Sequence, residues 1–251
     1  MCIILTALDV HPRYPLILLS NRDEFYSRET LPLHRWEGDV PMYAGRDLKE
    51  GGAWLGMTAR GRIATVTNYR EPPKEGSWLS RGLIVSRFLA GEDGPSDFLH
   101  DLQEEGDRYR PLNVLCGYPD SLYYYSNRGE GVHRVEPGIL GLSNGLLDEP
   151  WPKVERGKRL FSELVQQEDE FPVEKAFSIM KDTRRPPDES LPDTGFGLEG
   201  ERFLSTIFIQ GEKYGTRCTT LVLVDRDGNA YMEERIHVPD KQRNVFRFRL
   251  E

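Results

Sequence analysis

The 251-residue chain sets 33 basic against 41 acidic side chains, a formal net charge of −8, with 38% hydrophobic and 10% aromatic residues. That apolar share supports a sizeable core and excludes a disordered chain. The acidic balance excludes a binder of the nucleic-acid backbone, which needs a basic stripe, and no apolar run approaches the ~18 to 20 residues of a membrane helix.

The opening MCIILTALDV lacks a basic leader and a small-residue cleavage site, so it does not read as a secretory signal. Residues 2–8 and 15–20 are apolar runs around a Pro-containing turn, which predicts an antiparallel pair. Residues 54–58 and 62–67 flank Ala59-Arg60-Gly61 as a second hairpin. Near-helical spacing over 79–89 predicts a helix, and 96–103 a second one capped by Ser96. Strands are expected at 113–117, 121–126, 132–135 and 138–142. Helices follow at 152–167 and 173–182, then a long surface loop over 183–201. Strands at 203–209, 217–224 and 230–236 come next, the last two joined by an Asp-Gly turn at 225–229. Residues 244–250 alternate like an edge strand, and no repeat or low-complexity segment divides the chain, so one domain over 1–251 is expected. Strands, helices and strands again suit antiparallel sheets covered by helices, an α+β layered sandwich; periodicity leaves open whether there is one sheet or two.

Three cysteines, Cys2, Cys116 and Cys218, are odd in number and widely spaced. They predict reduced thiols and a cytoplasmic location rather than a disulfide framework. Five scattered histidines and the lack of a CxxC pair give no metal site. Gly195–Gly200 spells GxGxxG, but it follows a Pro-rich loop where a dinucleotide site needs a strand, and it reads as a loop. Asp225 to Gly228 lacks the later ligands of a calcium loop and reads as a turn.

Cys2 becomes N-terminal if Met1 is cleaved. Its α-amine, titrating near ~7.7 to 8.0, then sits on the same residue as a thiol of ~8.5, the arrangement of N-terminal nucleophile catalysis. A small residue opening a strand is the competing reading. Ser20-Asn21-Arg22-Asp23-Glu24 ends an apolar run, and a hairpin would bring this cluster beside Cys2. Arginine there lowers a thiol pKa, and aspartate holds the amine or fixes the arginine. An Arg–Asp pair at a solvated strand exit is the alternative. Asn68 and Asn144 stand at strand ends as either oxyanion donors or turn residues. Arg217 begins an apolar strand, where a solvated charge competes with a site role; Trp54, in a Gly-flanked turn, is either a pocket wall or a hairpin aromatic.

Met-Cys followed in order by Asn21-Arg22-Asp23-Glu24, GGAWLG at 51–56, TNYR at 67–70, SRG at 80–82, LSNG at 142–145 and YGTR at 214–217 resembles the NRDE family, also called transport and Golgi organisation 2. The resemblance covers essentially the whole chain, and the family is similar to N-terminal nucleophile hydrolases such as choloylglycine hydrolases and penicillin V acylase. It implies a four-layer αββα sandwich with two antiparallel sheets. It further implies Cys2 as nucleophile, Arg22 and Asp23 beside it, Asn68 and Asn144 as oxyanion or amine-holding residues, and Arg217 as the late arginine. Asn21, Glu24, Trp54 and Tyr69 are the candidate substrate-binding residues. The implied chemistry is cysteine amidohydrolysis or acyl transfer on a C–N or thioester bond of a small acylated molecule. The alternative is non-catalytic handling of haem or of acyl-CoA and lipid, as in trafficking. No cofactor is required, haem is admitted as a ligand, and a small molecule is the expected partner. Neither nucleic acid nor stable membrane insertion is expected, and oligomeric state is left open.

Overall fold

The computed structural model describes residues 2–38, 40–72, 75–167 and 170–251. Its first strand, β1 (Cys2–Leu8), pairs antiparallel with β2 (Leu16–Phe25), which pairs on its other side with β11 (Tyr214–Val224). β12 (Asn229–Ile236) and β13 (Gln242–Arg249) extend that sheet on one side and β10 (Gly138–Leu142) closes the other, giving the order β10-β1-β2-β11-β12-β13. The second sheet runs in chain order: β3 (Thr30–Trp36), β4 (Met42–Asp47), β5 (Leu55–Thr58), β6 (Ile63–Asn68), β7 (Leu112–Tyr118), β8 (Ser121–Ser126) and β9 (His133–Arg134).

Near-continuous apolar runs such as CIILTAL arise because each central strand buries both faces. One set of residues, Ile4, Leu8, Leu16, Leu18, Val222 and Met232, packs between the sheets against Leu33, Leu55, Met57, Ile63 and Leu115. The alternate set, Ile3, Leu5, Ala7, Ile17, Leu19 and Leu221, packs outward on Phe161 and Leu164 of α3 (Pro152–Val165) and Phe177 of α4 (Val173–Ile179). Ala44, Ala64, Val66 and Val114 of the other sheet meet Ile84, Val85, Phe88 and Leu89 of α1 (Gly82–Ala90), and Phe98 and Leu102 of α2 (Pro95–Glu104). Helix, sheet, sheet, helix is thus the layer order, an αββα sandwich. Each large aliphatic or aromatic side chain so buried contributes roughly 1.5 to 3 kcal/mol.

Several boundaries differ from those expected. β2 does not end at residue 20: it continues through the polar cluster, because β1 and β11 supply ladder partners on both sides as far as Arg22, and β11 alone continues to Phe25. β3 and β4 were not expected as strands. α1 starts at Gly82, and Leu79 instead makes an isolated bridge to Tyr109. The cap of α2 is Gly94, which has no side chain to bond, and Pro95 at the first helical position presets the helical φ and brings no N–H to satisfy. α3 and α4 end at Val165 and Ile179, short of 167 and 182. The expected loop over 183–201 holds a 3-10 turn (Asp188–Ser190) and the start of a fifth helix, α5 (Gly197–Leu204), and no strand forms over 203–209. The GxGxxG segment therefore does open a helix, but no strand precedes it, so it is not a dinucleotide turn. The Asp-Gly turn forms: Gly228, at φ 80, donates to the Asp225 carbonyl at 3.1 Å.

Candidate functional site

Antiparallel pairing puts Cys2 directly opposite Arg22, and Arg22 in turn opposite Cys218 on β11. Strand alternation turns Cys2 and Arg22 toward the gap between the sheets, the side of Ile4 and Leu18, and turns Asn21 and Asp23 toward the helices. At the sheet ends this gap opens into a cleft of about 410 Å³, lined by Cys2, Arg22, Asp23, Glu24, Trp54 and Asn68 among others. Six of the ten residues picked from sequence therefore meet in one place.

Cys2 is half-buried with a free thiol. Burial pushes its pKa up and the charge of Asp23 adds to that, while the Asp23 main-chain N–H and Arg22 oppose it. Ser143 Oγ donates to the Cys2 carbonyl at 2.9 Å, pinning the strand start. Arg22 is held twice: Nη2 donates to Asp47 Oδ2 at 3.3 Å, and the guanidinium stacks 4.3 Å from the Trp54 ring. The same Asp47 accepts from Arg28 Nε at 2.5 Å and from the main-chain N–H groups of Lys49 and Glu50 at 3.0 Å, so its carboxyl sits below the usual range despite burial. Trp54 reaches its position because residue 45 is glycine: a Cβ there would lie 2.2 Å from the indole.

Behind the thiol, buried Asp23 accepts from Thr216 Oγ1 at 2.6 Å; burial raises its pKa against the pull of Lys153, Thr216 and Arg70. Lys153, from the first turn of α3, donates to the Leu204 carbonyl at 3.1 Å. Burial and the like charge of Arg70 bring its pKa down to about 7, while Asp23, Cys2 and Glu201 oppose that. Arg70 pairs with Glu201 of α5 at 2.6 Å and stacks over Trp151. A second cavity of about 190 Å³ lies on the far side of the Arg22–Trp54 stack, lined in part by Arg217, Cys218 and Glu234.

Four expected residues are not in the cleft lining. Asn21 is fully buried, its amide donating to the Met180 and Ile207 carbonyls at 2.9 and 2.8 Å, so it locks β2 to the segments after α4 and α5 rather than contacting a substrate. Asn144 Nδ2 donates to the Asn68 carbonyl at 2.8 Å and its own carbonyl accepts from Arg70 N–H at 2.7 Å, which braces the end of β6. Arg217 sits at a β-bulge between Thr216 and Cys218, and its Nη1 donates to the carbonyls of Phe25, Tyr26 and Arg28. It closes the turn after β2 and faces the second cavity. Tyr69 donates its main-chain N–H to Pro111 at 3.0 Å, away from the lining. Met1, on which exposure of the Cys2 amine turns, lies outside the described residues.

Sequence reasoning missed Asp47, Arg28, Trp78, Arg81, Arg110 and Lys153. Only Arg81 left a signal, since it is the centre of the Ser80-Arg81-Gly82 motif; Lys153 is one more charge on an amphipathic helix. Among the described residues no helix is long and apolar enough to cross a membrane, and no group of three or more His, Cys, Asp or Glu is placed to hold a metal ion.

Two antiparallel sheets between helical layers form an αββα sandwich, the fold type of the N-terminal nucleophile hydrolases, and Cys2 opens its first strand at the mouth of the inter-sheet cleft. Solved structures agree on the fold. Penicillin V acylase from Agrobacterium tumefaciens matches with a TM-score of 0.53 at 11% identity, over 99% of this chain and 86% of that one. A variant of conjugated bile acid hydrolase from Clostridium perfringens matches at 0.53 and 11%, over 98% and 92%. The chain belongs to the Transport and Golgi organisation 2 family, whose profile matches residues 1–238. The Mus musculus Transport and Golgi organization 2 homolog is 34% identical over 94% of this chain and 92% of its own length. The Drosophila melanogaster Transport and Golgi organization protein 2 is 28% identical over 93% and 91%.

Proposed function

We propose that the protein is a cysteine amidohydrolase or acyltransferase of the N-terminal nucleophile type, acting on the C–N or thioester bond of a small acylated substrate. The observation that carries this is Cys2 itself: a free thiol on the first residue of a strand, opposite Arg22, at a cleft that Asn68 also lines. With Met1 removed, the Cys2 α-amine takes the thiol proton and Sγ attacks the carbonyl carbon. The Asn68 side chain, which has no hydrogen-bond partner among the described residues, faces the developing oxyanion; a donor of this kind is worth roughly 3 to 4 kcal/mol. The C–N or C–S bond then breaks, and the leaving amine or thiol departs with the proton returned from the α-amine. Water attacks the thioester, giving the free acid and the regenerated thiol; another nucleophile in place of water gives acyl transfer. Reduced thiols suit a reducing compartment, the cytoplasm in this reading.

Intact-protein mass before and after brief treatment with iodoacetamide tests the scheme, followed by turnover of a panel of N-acyl amides and acyl thioesters. Loss of Met1, fast single labelling at Cys2 and no turnover in Cys2→Ala are expected. Full activity in Cys2→Ala sinks the proposal.

A second reading is ligand handling without turnover, with haem or an acyl-CoA as cargo. It is favoured by the raised thiol pKa of Cys2 and by two tryptophans, Trp54 and Trp78, lining the cleft. It predicts retained Met1, a sluggish Cys2 and a change of spectrum or thermal midpoint on titration with either cargo. No change across a wide titration removes both ligands.

A further inference from the structure

One wall of the cleft is cationic without being neutralised. The bridge between Leu79 and Tyr109, with Leu79 N–H donating to the Arg108 carbonyl at 3.0 Å, lays the approach to α1 beside the approach to β7. Arg81 and Arg110 thereby come together on the cleft lining, and Arg81 Nη1 is fixed by donating to the Pro111 carbonyl at 2.9 Å. Neither arginine has a carboxylate partner among the described residues. Arg22 and Arg28, in contrast, share Asp47. The indole Nε1 of Trp78, on the same wall, is buried with no hydrogen-bond partner among the described residues. The acids of the lining other than Asp23, namely Glu24, Asp47 and Glu50, belong to β2, β4 and the loop after β4, and no acid lies on the 76–82 and 110 wall.

Two guanidiniums and an unpaired N–H on one wall, with no carboxylate in contact and only Glu24 across the cleft acting on Arg81 through its charge, form an incomplete site for an oxyanion. Burial and the neighbouring Arg110 bring the Arg81 pKa down to about 10, against the opposing charges of Cys2 and Glu24. Cys2 and Arg81 line the same cleft of about 410 Å³, so an anion seated on this wall shares that space with the reacting sulfur. We propose that the Arg81–Arg110–Trp78 wall binds an anionic group, a carboxylate or a phosphate, carried by the substrate next to its scissile carbonyl. This rests on the reading of Cys2 as the reacting group.

Two alkylating agents of nearly equal size separate the two claims: iodoacetate is anionic and iodoacetamide neutral. The quantity read is the iodoacetate-to-iodoacetamide rate ratio at Cys2, by peptide mass, divided by the same ratio for free cysteine. It is expected to exceed unity by about tenfold, as a focused positive field raises capture of an anion. It should fall toward unity in Arg81→Gln and also in Arg110→Gln, whose exposed side chain leaves folding out of the outcome, and should shrink at high salt. Protection of Cys2 from iodoacetamide by inorganic phosphate or by acetate identifies which oxyanion is taken. A ratio of unity in the wild type, a ratio unmoved by both substitutions, or protection by neither anion overturns the anionic subsite and leaves Cys2 standing. Failure of both reagents to label Cys2 overturns the nucleophile reading and this one with it.

Discussion

Asp47 is the residue that holds Arg22 and Arg28 at the cleft. It accepts from Arg22, Arg28 and two main-chain N–H groups while its side chain is only 10% exposed. Removing one partner of such a cluster strands the others, and the cost follows from the charges left unpaired rather than from the bond lost. Asp47→Ala is expected to lower stability by about 3 kcal/mol, discounted for the partly exposed Arg28. The urea midpoint should drop with an unchanged slope; a midpoint equal to the wild type would mean that the ion cluster only breaks even with its own desolvation. None of this was legible in the sequence. Arg22 and Asp23 looked like mutual partners because they are adjacent, yet neighbours in a strand point to opposite faces. The partner of Arg22 comes from a different sheet, 25 positions along the chain. Adjacency in sequence marks the location of a site well and its pairing badly.

At the scale of elements, what could be read was what hydrophobicity encodes. The hairpin of β1 and β2, the β5–β6 and β11–β12 hairpins and α1 to α4 all carry apolar periodicity and were expected within a few residues. β3 and β4 were not, because β3 is an edge strand with Pro32 in it and only Leu33 fully buried. α5 was missed for a different reason: its buried positions are Glu201 and Leu204, so an ion pair to Arg70 ties it down where an apolar stripe would have been visible. Another contact invisible to patterning seats α1. Gly52 lies against the start of that helix, and a Cβ on it would come within 2.2 Å of the Gly82 carbonyl carbon. The Gly82 carbon is main chain and a Cβ is fixed rigidly to its own main chain, so neither can swing away, and the loop after β4 would have to part from α1. Gly52→Ala is expected to lose about 2 to 3 kcal/mol and, by shifting Arg81, to change the labelling ratio at Cys2. Gly38→Ala, with nothing within 4 Å of the new carbon, serves as the comparison and should match the wild type. Equal stability of the two variants would show that the loop relaxes without strain.

Across the whole molecule, two buried groups carry charge at a cost on either side of the Cys2–Arg22–Cys218 row: Lys153 beneath Asp23, and Glu234 in the second cavity. Glu234 is 1% exposed; it accepts from Leu33 N–H at 3.1 Å, with the Cys218 thiol and Arg22 near. Those contacts do not offset desolvation, and its pKa rises from 4.5 to about 7. The folded chain therefore binds more protons than the unfolded chain between those two values. The Glu234 contribution to stability is full below pH 4.5, is lost as pH rises toward 7 and is flat above. The shift corresponds to about 3 kcal/mol. Glutamine keeps the acceptor for Leu33 and never ionises, so Glu234→Gln is expected to match the wild type near pH 5 and to exceed it by a few kcal/mol at pH 8. Urea midpoints at the two pH values read the difference directly. A variant no more stable at pH 8 would mean that the carboxylate is stabilised in the fold, with the Arg22 guanidinium as its effective counter-ion. Arg22 would then be divided between Asp47 on one side and Glu234 on the other. The positive charge facing Cys2 would be weaker than the geometry of the cleft alone suggests, and the thiol correspondingly harder to ionise.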